Sequence, residues 1–238
     1  GAEAGRHVAA NVAPRVLLAP SCGAPEGGPD HEFRLLGPGG EVVTPTAVPW
    51  GRWFVELQPP ALLAGGGWRL EVRRPRWSAS VDAVELGPWE AMASFWVVAD
   101  LVDRQAPAFD GIVAGEARPV AGTVMLSPCE AESDWVVETH LTFAPAFDTI
   151  AAADDLLYLL ERRSPGGDPA WSEVTTFRPE RARGGRVGVT LTDEWGWGER
   201  WEYRISVRDP SGNQRLGERT LTVTAPKKPK RPVPPWRR

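Results

Sequence analysis

Residues 201–213 read Trp-Glu-Tyr-Arg-Ile-Ser-Val-Arg-Asp-Pro-Ser-Gly-Asn, and this stretch restricts the fold more than any other. Trp201, Tyr203, Ile205 and Val207 alternate with Glu202, Arg204, Ser206 and Arg208. Successive side chains leave a strand on opposite faces, so period-two alternation specifies a strand with one buried and one wet face. The residues that follow cannot extend it. Pro210 has a fixed φ, Gly212 accepts a positive φ, and the Asp209 and Asn213 side chains can bond their own backbone, so the strand ends in a turn.

The same style runs through the chain. Val12 to Ala19, His31 to Leu36, Glu41 to Val43 and Arg52 to Leu57 read as strands, the last with Trp53, Val55 and Leu57 on one face. Gly65-Gly66-Gly67 opens a clean alternation of inward Trp68, Leu70 and Val72 with outward Arg69, Glu71 and Arg73. Val81 to Leu86 and Ala93 to Ala99 bring the first domain to about seven short strands, the spacing of an all-β sandwich. Residues 1–11 are small and polar and are expected to fray. Around Leu101-Val102-Asp103-Arg104-Gln105-Ala106-Pro107 the alternation is lost, which places the domain boundary there. Beyond it, Thr123 to Leu126, Trp135 to Phe143, Val187 to Leu191, residues 201–208 and Leu221 to Val223 read as strands. Leu156 to Glu161 is apolar on both faces and fits a short helix as well, but Ser164-Pro165-Gly166-Gly167 closes it too soon, and a strand is the better reading. The predicted architecture is therefore all-β: two tandem β-sandwiches over residues 1–100 and 101–225, with a Pro/Lys/Arg-rich tail over 226–238.

Length and charge agree with that division. A chain of 238 residues can bury two modest cores, and no apolar run reaches the roughly 18 residues of a membrane helix. The net charge is −4, unevenly spread. Lys227, Lys228, Lys230, Arg231, Arg237 and Arg238 give the tail +6, so the remaining 21 arginines face 31 acids and the body carries −10. A nucleic-acid partner is not expected for such an acidic body, because phosphate binding rests on a basic surface. The opening Gly-Ala-Glu-Ala-Gly resembles the small-residue region after a signal-peptidase cut. Cys22 and Cys129 permit one disulfide in an oxidising compartment. Their surroundings, Ser21-Cys22-Gly23 and Pro128-Cys129-Glu130, also look like equivalent positions in two repeats, which end-to-end domains would hold too far apart to bond.

Tyr203-x-Ile205-x-Val207-x-Asp209-x-x-Gly212-Asn213 resembles the penultimate strand and turn of bacterial immunoglobulin-like domains, and Asp103-x-x-Ala106-Pro107 resembles their opening. Fibronectin type III domains share the rhythm but reach the aspartate later. In the first domain, Phe33 to Val43 followed by Leu57 to Val72 is similar to a run found in another bacterial immunoglobulin-like group and in periplasmic copper-resistance β-sandwich proteins. The copper proteins hold the metal with an N-terminal histidine and a later Asp/His pair; here His7 is displaced from the terminus and no Asp-x-His follows. The resemblance implies immunoglobulin-like sandwiches in a non-enzymatic, exported bacterial module of the periplasm or cell surface.

The candidate chemistry fits a binding or structural role. Gly-x-Ser-x-Gly, His-Glu-x-x-His, Cys-x-x-Cys and P-loop motifs are missing, and His7, His31 and His140 stand isolated in sequence. No catalytic residue, metal ligand or cofactor is expected on these grounds. Asp103 and Asp209 could offer oxygen ligands to calcium, but turn capping explains them with fewer assumptions. Among the twelve tryptophans, Trp53, Trp68, Trp135 and Trp201 are assigned to the core by alternation. Trp195-Gly196-Trp197 lies in a loop, where two indoles either plug the sandwich end or contact a ligand. The candidate binding residues are therefore Trp195 and Trp197, with Trp50 or Trp77 as helpers, together with Lys227, Lys228, Lys230, Arg231 and Trp236 of the tail. They suit a protein partner in an envelope or surface assembly; a carbohydrate is the alternative ligand, and copper at His7 a lesser one.

Overall fold

The computed structural model describes residues 6–17, 31–50, 54–78, 83–127, 130–165, 167, 170–178, 187–194 and 196–230. Cys22, Cys129, Trp53, Trp195, Arg231 and Trp236 lie outside the described residues. Within them the chain is all-β, its one helical element a 3-10 turn at Ala153–Asp155. Among the described residues no helix is long and apolar enough to cross a membrane. The chain divides into two units: residues 1–106 with 148–155 and 209–213, and residues 107–147, 156–208 and 214–238.

The described residues of unit 1 include β1 Arg6–Val8, β2 Arg15–Leu17, β3 Glu32–Leu36, β4 Val42–Val43, β5 Thr46–Trp50, β6 Phe54–Gln58, β7 Gly66–Arg73, β8 Pro75–Ser78, β9 Ala83–Leu86 and β10 Glu90–Val97. A five-stranded sheet runs β1-β10-β7-β3-β4, a three-stranded one runs β2-β6-β5, and β8 and β9 form a hairpin. The two larger sheets share one core. Val16 and Leu57 from one meet Phe33, Leu35, Trp68, Leu70, Val72 and Val97 from the other, and this mutual burial of apolar faces is what defines a sandwich.

Three expectations for this unit fail. Arg6–Val8 is not frayed, since it pairs in parallel with Phe95–Val97. The second failure is the first strand, which within the described residues covers only Arg15–Leu17, with Asn11 to Pro14 in irregular chain before it. The third is the outward reading of Glu71 on β7; on β6 the expected face holds, with Val55 and Leu57 both toward the core, while Phe54 and Glu56 are buried on the opposite face. Glu56 tolerates burial because Arg15, its direct cross-strand neighbour, donates Nε and Nη2 bonds of 3.3 Å to its carboxylate. Glu71, read as outward, is likewise buried, held by Arg34 at 2.7 Å and Arg69 at 2.8 Å.

Unit 2 contains β11 Ile112–Ser127, β12 Glu130–Phe143, β13 Leu157–Arg163, β14 Ser172–Phe177, β15 Val187–Asp193, β16 Arg200–Arg208, β17 Gln214–Leu216 and β18 Leu221–Thr224. One sheet runs β11-β12-β15 and the other β14-β13-β16-β17, with β18 also on β16. β11 is far longer than the Thr123–Leu126 strand expected from sequence. Its Ala114, Gly115, Ala117 and Pro119 are weak strand formers, and Pro119 is tolerated because β11 is an edge strand with β12 as its ladder partner. Leu157–Arg163 is a strand, as preferred over a helix.

Between these two sheets Phe109, Phe143, Tyr158 and Phe177 pack ring against ring, with centroids 5.3–6.0 Å apart. Tyr203, Ile205 and Val207 of β16 are buried as the alternation requires, while Trp201 is only half-buried, with Arg162 over its ring at 4.3 Å. The wet face of β13 and β16 is a charge ladder. Glu161 pairs with Arg204 and Arg163 with Glu202, directly across the register. Trp171 lies between Arg163 and Arg204, with guanidinium carbons 4.5 and 4.4 Å from its ring centre.

Candidate functional site

The residues singled out in sequence fall in two places, the loop before β16 and the chain after β18. Gly196 N–H bonds to Asp193 Oδ1 at 3.0 Å, closing the loop, and the half-buried Trp197 donates its indole N–H to the Glu194 carbonyl at 3.2 Å. Gly198 N–H then reaches the Pro226 carbonyl at 3.0 Å, and Ala225 N–H the Glu199 carbonyl at 2.8 Å. The start of the tail is thus fastened to the Trp197 loop. Lys228 adds an ion pair to Asp134 of β12, and its hydrogen bond, with that of the Trp135 N–H, holds the Asp134 carboxyl below the usual carboxylate range. Lys227 and Lys230 are exposed.

Of the tryptophans considered as helpers, Trp50 gives no open stacking platform. Trp50 is buried, with Arg15 5.5 Å from its ring centre, and the side chain of Trp77 lies outside the description. Trp89 is faced by Arg34 at 4.2 Å and Arg73 at 5.5 Å. Guanidinium groups over indole faces are an internal solution to the exposure of so many large rings.

A different cluster was only half visible in the sequence. Asp103, Asp148 and Asp209, all in unit 1, each bring one carboxylate oxygen within 4.8 Å of the other two. Asp209 caps its turn as expected. Its Oδ1 accepts the Ser211 and Asn213 N–H groups at 2.8 and 3.0 Å, its Oδ2 accepts the Asn213 side-chain amide at 2.9 Å, and Gly212 takes the positive φ of 89°. Asp148 Oδ1 does the same for Ile150 and Ala151, both at 2.7 Å. Asp103 Oδ1 accepts the Gln105 N–H at 3.1 Å. Its backbone is clamped by Asn11, which donates to the Asp103 carbonyl at 2.6 Å and accepts its N–H at 2.9 Å, while Asn213 donates to the same carbonyl at 3.3 Å.

Burial pushes the Asp209 carboxyl up to about 6, against the hydrogen bonds from Asn213, and the charges of Asp103 and Asp148 push the same way as burial. A cavity of about 200 Å³ opens beside the cluster, lined by Asp103, His7, Ile150 and Pro210, with Arg6 ion-paired to Asp154 and Asp155 at its side. Among the described residues no histidine joins a metal-donor cluster, and His140 Nδ1 is spent on Thr190 Oγ1 at 3.1 Å.

No protein-family model matches the chain. No curated protein matches it either. Among solved structures the chain is similar to a pullulanase from Anoxybacillus sp. LM18-11 crystallised with maltotetraose, at 13% identity over 89% of this chain and 23% of that one, with a TM-score of 0.21. The chain thus spans about a quarter of that protein's length, and the likeness is too slight to bear on fold or function.

Proposed function

We propose that the chain is a non-enzymatic interaction and structural module of an exported bacterial assembly, built from immunoglobulin-like sandwiches and contacting a protein partner through the Trp197 loop and the basic tail. One observation carries the reading: Pro226, Ala225 and Lys228 fasten the first tail residues to the loop and to β12 while Lys227 and Lys230 are exposed. A fixed basic surface recognises an acidic partner with less ordering cost than a free tail. The wider chemistry supports a non-catalytic role, since Glu161, Arg163, Glu202 and Arg204 are committed to cross-strand pairs rather than gathered around a nucleophile.

The test is recovery of an envelope-fraction partner by the full chain against the Lys227→Glu/Lys230→Glu variant. Reversing two charges is expected to reduce recovery to background at low salt, and wild-type recovery is expected to fall as NaCl rises, because exposed charges are screened over about 10 Å at 0.1 M. Equal recovery by both proteins defeats the reading. Lys228→Ala is expected to change stability by less than about 1 kcal/mol, the ordinary worth of an exposed ion pair, as read from the urea midpoint.

A further inference from the structure

We propose that Asp103, Asp148 and Asp209 form a binding site for one Ca²⁺ ion. The spacing permits it: calcium takes oxygen ligands at about 2.4 Å, so one ion can touch three oxygens that all lie within 4.8 Å of one another. Spacing alone would describe many acidic clusters. What sets this one apart is Asp103, which is 2% exposed, and whose Oδ2 is buried without a hydrogen-bond partner among the described residues. Asp209 beside it is fully buried. Buried carboxylates are found paired, hydrogen-bonded or on a metal, because an uncompensated one is costly. Here the orphan oxygen belongs to a carboxylate with two further carboxylates within 4.8 Å, and a cation satisfies all three at once.

The donor set selects the metal. Three carboxylates with no imidazole or thiolate suit a hard cation and disfavour zinc or copper. Magnesium dehydrates reluctantly and is commonly held by one or two carboxylates with several waters, whereas calcium accepts a crowded, irregular oxygen shell. The donors are already fixed in place, with Asp148 and Asp209 tied by their own turns and Asp103 by Asn11. The cavity lined by Asp103 supplies a route for the ion.

The experiment uses the full chain freed of metal with EDTA, titrated with CaCl₂ by calorimetry and followed by thermal unfolding. One Ca²⁺ per chain is expected, with a rise in Tm of about 4–10 °C at saturating ion and a much smaller rise with equal MgCl₂. Asp103→Asn keeps the oxygen that accepts the Gln105 N–H and places an amide where the orphan oxygen was. The metal-free variant should therefore melt at or above the metal-free parent, yet gain nothing from Ca²⁺. Should that variant fail to fold, Asp148→Asn, at a half-buried position with its turn bonds retained, is expected to weaken Ca²⁺ binding at least ~10-fold. Absence of stoichiometric binding to the folded parent overturns the proposal, and so does an Asn variant that keeps the full calcium-induced rise.

Discussion

Replacing Tyr158 by alanine destabilises unit 2 by about 3–5 kcal/mol, the usual cost of deleting a large buried ring. The residue is 1% exposed and touches Phe109, Phe143 and Phe177 with centroids 5.3–5.6 Å away, so the void opens between the two sheets rather than at an edge. Tyr158→Phe separates packing from hydrogen bonding. The ring stays, but the Ala146 N–H, which donates to the Tyr158 hydroxyl at 2.9 Å in a buried setting, loses its acceptor. An orphaned buried donor costs about 1–3 kcal/mol, and a shift in the urea midpoint at unchanged slope would register it. A cost near zero would mean that this N–H finds another acceptor.

Tyr158 also makes an alkaline prediction. Burial pushes its phenol above the ordinary value near 10, outweighing the Ala146 bond, and burial does the same to Tyr203. Above pH 10 the unfolded chain gives up phenol protons that the folded chain retains. The sign follows from linkage: stability conferred by the neutral phenols is complete below the unfolded pKa and is lost as pH rises through the folded one. The chain has two tyrosines, so the tyrosine part of this loss divides between these sites. Tyr158→Phe should make the fall in stability above pH 10 visibly shallower, and an unchanged slope would reject the assignment.

Much of the fold could be read from local pattern because the determining interactions are local. Tyr203, Ile205 and Val207 announce a strand by alternation, and Asp209, Pro210 and Gly212 announce its end by turn chemistry; both features stand in the structure. Legibility stops where the partner is distant in sequence. β1 owes its existence to a parallel pairing with Phe95–Val97, and nothing within Arg6–Val8 itself signals that. The long β11 is held in register by β12 despite its own weak propensity. The carboxylate cluster shows the limit most clearly. Asp103 and Asp209 were visible as linker and turn residues, but Asp148 stands 45 residues after the first and 61 before the second, and its only local signal is a one-turn cap.

Glu56 is the other residue whose surroundings the sequence could not supply, and the pair it forms gives the second large effect. Arg15 and Glu56 have side chains 3% and 1% exposed, and the arginine also donates to the Asp209 carbonyl. Removing one partner of a buried ion pair leaves a charge in a medium that cannot solvate it, which costs about 3–5 kcal/mol. Arg15→Met is expected to lose that much even though Gln58 still donates to Glu56 Oε1 at 3.0 Å, because a neutral donor does not replace the charge of a guanidinium. Glu56→Leu removes the carboxylate that offsets the buried guanidinium and should cost a similar amount. The double variant Arg15→Met/Glu56→Leu puts two apolar side chains where the charges met, and should be more stable than either single variant, with a coupling of at least about 2 kcal/mol in the double-mutant cycle. It should not regain the parent's stability in full, because the Asp209 carbonyl stays without its arginine. Strict additivity would show that the two charges are solvated separately and that β2 and β6 are joined by backbone pairing and apolar contact alone.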